Sequence, residues 1–179
     1  MEQINLIGAK GGQGTSVAAC AVALKAAGEG RLVRLDSHDR AMLAAILGRP
    51  GDGPVSPGLT VGADTAERCD LVVHDGPDAD GTTLLVIRPC YLALRRALNL
   101  GLCTDASGVV VVTEPGRALG CEDVAAVTGL PVIATIPLRA DIARAVDAGV
   151  LADRLPDPLA TAADQILDFI LTGPRREVA

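Results

Sequence analysis

The chain has 179 residues, 49% of them apolar, with one Tyr, one Phe and no Trp. That is enough for one aliphatic core, and it excludes the aromatic platforms on which single-stranded bases stack. A formal charge of −6 disfavours non-specific DNA binding, and the longest apolar runs, 17–24 and 109–112, fall short of the ~20 residues that span a bilayer.

Apolar and helical segments alternate from the first residues onward. A strand is expected at Gln3–Gly8, then a helix at Thr15–Ala27, a strand at Arg31–Leu35 and a helix at Asp39–Leu47. Gly48–Ala66 carries Pro50, Pro54, Pro57 and five glycines and reads as a long loop, either functional or a plain insertion. Strands follow at Leu71–His74 and Thr83–Ile87, a helix at Pro89–Leu102, a strand at Gly108–Val112 and a helix at Glu122–Val127. The last elements are a strand at Val132–Thr135 and helices at Ala140–Ala148 and Pro158–Leu171. Leu71-Val72-Val73 and the valine run 109–112 do not alternate with polar residues, as expected of strands covered on both sides. The fold class is therefore α/β, a doubly wound, mostly parallel sheet in a three-layer α/β/α sandwich. One domain is expected over 1–172, with a polar tail over 173–179.

Five cysteines (Cys20, Cys69, Cys90, Cys103, Cys121) form no CxxC pair. They read as reduced, mostly buried thiols, and with no secretory signal the expected location is the cytoplasm. Arg95-Arg96 and Arg175-Arg176 are the only adjacent basic pairs. The bland reading of these is a solvated helix face and a charged tail. The last helix has no basic residue, which favours core packing over a membrane surface.

Chemistry concentrates at the glycine-rich stretch that joins the first strand to the first helix, Gly8-Ala9-Lys10-Gly11-Gly12-Gln13-Gly14-Thr15-Ser16. Closely spaced glycines let backbone N–H groups converge on a phosphate, and the helix N-terminus adds a favourable dipole. Gly11, Gly12, Gln13, Gly14, Thr15 and Ser16 are the candidate nucleotide-binding residues. The Walker A lysine is missing, because Thr15 stands before the hydroxyl-bearing Ser16. Asp75 closes an apolar strand and fits a Walker B carboxylate, so Ser16 and Asp75 are the candidate Mg2+ ligands. A turn former before Gly76-Pro77 is the alternative for Asp75. Asp36 ends the second strand, where a carboxylate could orient water or Mg2+, and Asp39 is equally suited to cap the next helix.

The set as a whole resembles the ParA/MinD group of deviant-Walker P-loop ATPases, whose loop reads K-G-G-x-G-K-[ST]. The resemblance rests on Lys10 to Ser16, the strand ending at Asp36, Asp75-Gly76-Pro77, the segment Leu84–Ala97, and Gly129–Pro137 leading into Ile142–Gly149. It implies that ATP or ADP binds with Mg2+ and that Lys10 reaches across an ATP-sandwich homodimer. It also implies that Asp36 serves hydrolysis and that the segment ending at Pro137 closes the nucleotide site. Lys10 and Lys25 are the only lysines, against fourteen arginines. Three positions depart from the group. Thr15 replaces its second lysine, His38 takes the second carboxylate position of D-x-D, and Thr113-Glu114-Pro115 stands where many members read adenine with Asn.

Losing one preorganised charge from a transition-state site costs about 10²–10³ in rate, or ~3–4 kcal/mol. The expectation is thus a degenerate ATPase, with hydrolysis weak or absent. It would act as a homodimer or homo-polymer with a protein partner or cargo in partition, positioning or a related process. A nucleotide-independent structural or polymerising module of the same fold, and an active ATPase with a non-standard site, are the alternatives. Arg40 and Arg88, expected near the same sheet edge, are candidates to replace part of the missing charge. Thr15→Lys is expected to tighten nucleotide binding, measured by calorimetry. Unchanged or lost binding would mean that the loop is not a Walker loop lacking one charge.

Overall fold

The computed structural model describes residues 1–49, 51–62, 68–77 and 80–173. In chain order the elements are β1 (Glu2–Gly8), α1 (Thr15–Gly28), β2 (Val33–Ser37), α2 (Arg40–Leu47), β3 (Gly53–Ser56), β4 (Leu59–Val61) and β5 (Leu71–Asp75). They continue with β6 (Thr82–Ile87), α3 (Tyr91–Asn99), α4 (Leu102–Asp105), β7 (Gly108–Thr113), α5 (Cys121–Thr128), β8 (Val132–Pro137), α6 (Ala140–Asp147) and α7 (Asp157–Thr172). One sheet runs in the order β3-β4-β2-β5-β1-β6-β7-β8. Every neighbouring pair is parallel except β3–β4.

The valine-rich strands are buried on both sides, and successive residues divide between two cores. Leu84, Val86, Val110 and Val112 face the layer of α1, α2, α6 and α7. Leu85, Ile87, Val109 and Val111 face α3, α4 and α5. This two-sided burial is why these strands show no polar alternation. α1 is apolar nearly all round, with Ala18 to Ala23 fully or almost fully buried, and its small side chains let it lie against both the sheet and α7. Lys25 ties α1 to α7 through Asp164 at 2.7 Å. α7 buries Leu159, Ala162, Ala163, Ile166 and Leu167, so the last helix is a core element.

The long loop expected at Gly48–Ala66 is corrected by the hairpin of β3 and β4, which extends the sheet beyond β2. Val55, Leu59 and Val61 are the buried residues of this hairpin. Prolines mask it in the sequence: Pro54 lies on the outermost strand, where a missing donor is tolerated, and Pro57-Gly58 make the turn. Pro50 and residues 63–66 of that expected loop, and 174–179 of the expected tail, lie outside the described residues. The expected helix Pro89–Leu102 is instead α3 and α4, separated at Gly101, whose φ is +70°. All five cysteines are free, but only Cys20 is buried, so "mostly buried" does not hold. Among the described residues no helix is long and apolar enough to cross a membrane.

Two glycines weld α2 to the end of α6. Gly48 caps α2 at φ +65°, and a Cβ there would overlap the carbonyl oxygen of Gly149, itself at φ +61°. Gly101 has a similar φ of +70° with open space around it. Gly101→Ala is expected to cost about 1–2 kcal/mol, the penalty of a left-handed non-glycine residue. Gly48→Ala is expected to cost about 2 kcal/mol more, because backbone must move. Chemical denaturation of both variants checks the difference.

Candidate functional site

The loop 9–14 leaves β1 and enters α1 at the carboxyl edge of the parallel sheet, the edge where open α/β sheets bind ligands. Gly12 and Gly14 adopt φ of +75° and +90°, which side chains rarely tolerate. Gly14 is the N-cap of α1, no side chain caps it, and the first turn holds no acid. The helix end therefore keeps its outward N–H groups and positive dipole end for an anion.

Aligned on G-x-x-x-x-G-K-[ST], Ala9 takes the first glycine position, a departure the sequence reading missed. Ala9 is buried in the core shared with Ile87 and Ala93. Thr15 takes the lysine position, and its side chain turns back over the strand. Its Oγ1 lies 2.6 Å from where a Cβ on Gly8 would stand, so glycine at position 8 makes room for the hydroxyl. Lys10 and Gly11 are exposed, and Lys10 forms no ion pair among the described residues.

Gln13 is 2% exposed, and its Oε1 accepts the backbone N–H of Arg88 at 2.8 Å. The loop is thereby pinned to the end of β6. Gly14 lies over Val112, where a Cβ would approach Cγ2 to 3.3 Å.

The acidic positions lie on the other side of β1. β2 and β5 pair with Asp36 opposite His74 and Ser37 opposite Asp75, and Leu6 of β1 is also in register with Asp75. Ser37 Oγ donates to Asp75 Oδ2 at 3.1 Å and accepts from the Asp39 N–H at 3.0 Å, so one serine orients the carboxylate. Ser37 was not singled out from the sequence. Its signal is its place between Asp36 and His38.

Burial raises the Cys20 thiol far above its ordinary pKa, and the nearby Asp75 charge adds to the shift. Ser16 lies four residues before Cys20 on α1, on the same helix face.

Asp36 lies 3.9 Å from Arg40, which also binds Asp52 at 2.8 Å. Asp39 accepts the Met42 N–H at 3.0 Å, which is the capping role. His38 and His74, the only histidines, line a cleft of about 240 Å³ with Asp36, Ser37, Arg40 and Asp75. Beyond the loop, Glu114 is clamped by Arg117 at 2.7 Å and Arg88 at 2.9 Å. Arg117 first, then Arg88, hold its carboxyl below the usual range. Arg40 and Arg88 are both committed to carboxylates, so neither stands free to replace the missing lysine. Pro137 ends β8 in register with Thr113, and the Leu138 N–H donates to the Thr113 carbonyl at 2.7 Å. Pro137 is on the loop's edge of the sheet, but on the outer strand, away from Asp75.

No group of three or more His, Cys, Asp or Glu suited to a metal occurs among the described residues. A hydroxyl and one carboxylate, Ser16 and Asp75, fit Mg2+, which keeps several waters and takes its other ligands from phosphates.

Solved structures share this fold along nearly their whole length. The MinD cell division protein of Aquifex aeolicus aligns over 97% of this chain and 98% of its own, with a TM-score of 0.76 and 17% identity. The fold is that of MinD and ParA. MinD of Pyrococcus horikoshii, solved with Mg-ADP, aligns over 96% of this chain and 97% of its own at TM-score 0.75 and 16% identity. A putative plasmid partition protein of Borrelia burgdorferi, bound to AMPPNP, covers 96% and 98% at TM-score 0.69 and 13% identity. No family model and no curated protein sequence matches the chain. At these identities what the MinD and ParA structures share with this chain is the fold, including the strand–loop–helix at 2–28.

The Gln13 link is directly testable. Gln13→Ala removes the acceptor of one buried N–H, a loss of about 1 kcal/mol. Hydrogen exchange at the Arg88 amide is expected to accelerate roughly fivefold while exchange in β5 is unchanged.

Proposed function

We propose that the chain is a ParA/MinD-like nucleotide-binding protein of the cytoplasm, folded as one domain over 1–172, with weak or absent ATP hydrolysis. It pairs or assembles as a homodimer or homo-polymer and acts in partition, positioning or a related organising process with a protein partner. The observation that carries this reading is the uncapped N-terminus of α1, entered through left-handed Gly12 and Gly14.

In this reading the N–H groups of Gly11 to Ser16 cradle the phosphates, with Gln13 pinning the loop to the end of β6. Ser16 and Asp75 are the residues that would hold Mg2+, and Ser37 fixes the Asp75 carboxylate by its hydrogen bond. Bound there, Mg2+ would supply charge neutralisation to the phosphates. Lys10, exposed at the rim, is free to reach a phosphate held by a second copy. Asp36 is the candidate for orienting water, but its neighbour at the second carboxylate position is His38, and Thr15 contributes no positive charge. Binding through backbone N–H groups survives these changes better than turnover does. In the same reading Pro137 and Thr113, paired at the ends of β8 and β7, bound the far side of the ligand.

Two observations favour a second reading, a nucleotide-independent module that keeps only the fold. The Thr15 hydroxyl is packed against Gly8, and both nearby arginines are held by carboxylates.

Calorimetry with MgATP and MgADP decides between them. The expected result is binding with Kd on the order of 1–100 μM, weakened about tenfold or more by Ser16→Ala or Asp75→Ala. The absence of heat with either nucleotide would remove the nucleotide role. Assembly followed by light scattering, equal with and without ATP, would then support the second reading.

A further inference from the structure

Three charged side chains stand at the other shoulder of the glycine loop, away from Asp75. Sheet order puts β5 on one side of β1 and β6 and β7 on the other. Arg88 is the first residue beyond β6 and Glu114 the first beyond β7, and these two strands are neighbours. Gln13 bonds the Arg88 backbone and Gly14 lies over Val112, so the loop reaches both strand ends.

Every hydrogen bond that the Glu114 carboxylate accepts falls on Oε2, from Arg88 Nη2 at 2.9 Å and from Arg117 Nε at 2.8 Å. Its Oε1 has no donor among the described residues. The Arg88 Nε–H is buried and likewise finds no acceptor among them. A buried donor left unpaired is costly until something supplies the acceptor. An unused donor and an unused acceptor thus belong to one ion pair, on side chains only 30% and 29% exposed.

That combination selects against a bare anion, because a phosphate drawn to Arg88 meets the Glu114 carboxylate. It suits a neutral group that carries acceptors and donors along one edge. In the nucleotide reading the metal-bearing end of the phosphates faces Asp75, which turns the nucleoside toward β6 and β7. Guanine presents O6 and N7 as adjacent acceptors, the pair that a guanidinium binds best. Beside them it carries the N1–H and 2-amino donors, which match a carboxylate. Adenine has an amino donor in the place of O6 and a lone pair at N1, so the same approach sets donor against Arg88 and acceptor against Glu114. Turned to bond N6 to Glu114 and N7 to Arg88, it keeps fewer of these contacts.

Building on the nucleotide reading above, we propose that Arg88 and Glu114 read the base of the bound nucleotide and favour guanine, so that the ligand class is a guanosine phosphate. Arg117 is a positioning residue, holding the carboxylate from its other side at 2.7 Å. Because Gln13 bonds the Arg88 backbone, the residue that reads the base is also the one to which the phosphate loop is pinned.

The test is calorimetry of the purified full chain in Mg2+ with GDP, ADP and inosine diphosphate. GDP is expected to bind about tenfold more tightly than ADP. Inosine diphosphate keeps O6, N7 and N1–H but lacks the 2-amino group, and it is expected to fall between them. Glu114→Gln is expected to weaken GDP about tenfold and to leave ADP within about twofold, with circular dichroism confirming the fold. ADP bound as tightly as GDP, or more tightly, overturns the base assignment and leaves the nucleotide reading standing. No binding of any of the three removes both. A guanine preference that survives Glu114→Gln, or a variant that weakens GDP and ADP alike, makes the ion pair structural and overturns its reading role.

Discussion

Parallel pairing of β1 with β5 on one side and β6 on the other is the constraint on which the rest of the molecule depends. Parallel strands share one direction, so their carboxyl ends collect at one edge however far apart they lie in sequence. Glycine 8, Asp36, Asp75, Arg88 and Thr113 come from five segments and reach that edge because their strands stop there. Pairing of this kind is stable only when both faces are covered. That requirement explains the alanine-rich α1, the acidic but core-packed α7 and the division of alternate valines between two cores.

Within this frame, backbone and side-chain contributions to the loop come apart. The glycine conformations and the uncapped helix end are backbone properties, and the Gln13 side chain anchors the loop to the end of β6. The charge that a lysine at position 15 would bring is a side-chain property. Its place is taken by a hydroxyl packed over Gly8, a position that only glycine fills without displacing it. In the proposed reading, a site of this construction would hold an anion better than it would accelerate chemistry on it, since acceleration needs charge aimed at the transition state.

The strand interiors were legible because a buried parallel strand must be continuously apolar. Their ends were less so: β2 runs on through Asp36 and Ser37, β5 through Asp75 and β8 through Pro137, since polar residues and a terminal proline still fit a ladder whose side chains have left the core. β3 and β4 were illegible because a two-residue alternation over seven residues is hidden when Pro54, Pro57 and Gly58 interrupt it. Of the site, the glycine loop and both aspartates could be read from local pattern. Gln13 with Arg88, and Ser37 with Asp75, could not, because each contact joins residues brought together only by strand order. Ala9 is inconspicuous for another reason: the K-G-G-x-G-K-[ST] pattern begins at Lys10, one residue beyond it.

Tyr91 lies on the exposed side of α3, with the Arg95 guanidinium 5.9 Å from its ring centroid. A chain with no tryptophan and one tyrosine has a single dominant ultraviolet chromophore, and here it stands in water on a helix crest, stacked beneath an arginine. Its absorbance near 280 nm is weak enough that concentration is better measured at the peptide bond. Its emission, however, comes from one known place, so any surface that covers Tyr91 can be followed without a label, whereas events confined to the glycine loop stay optically silent.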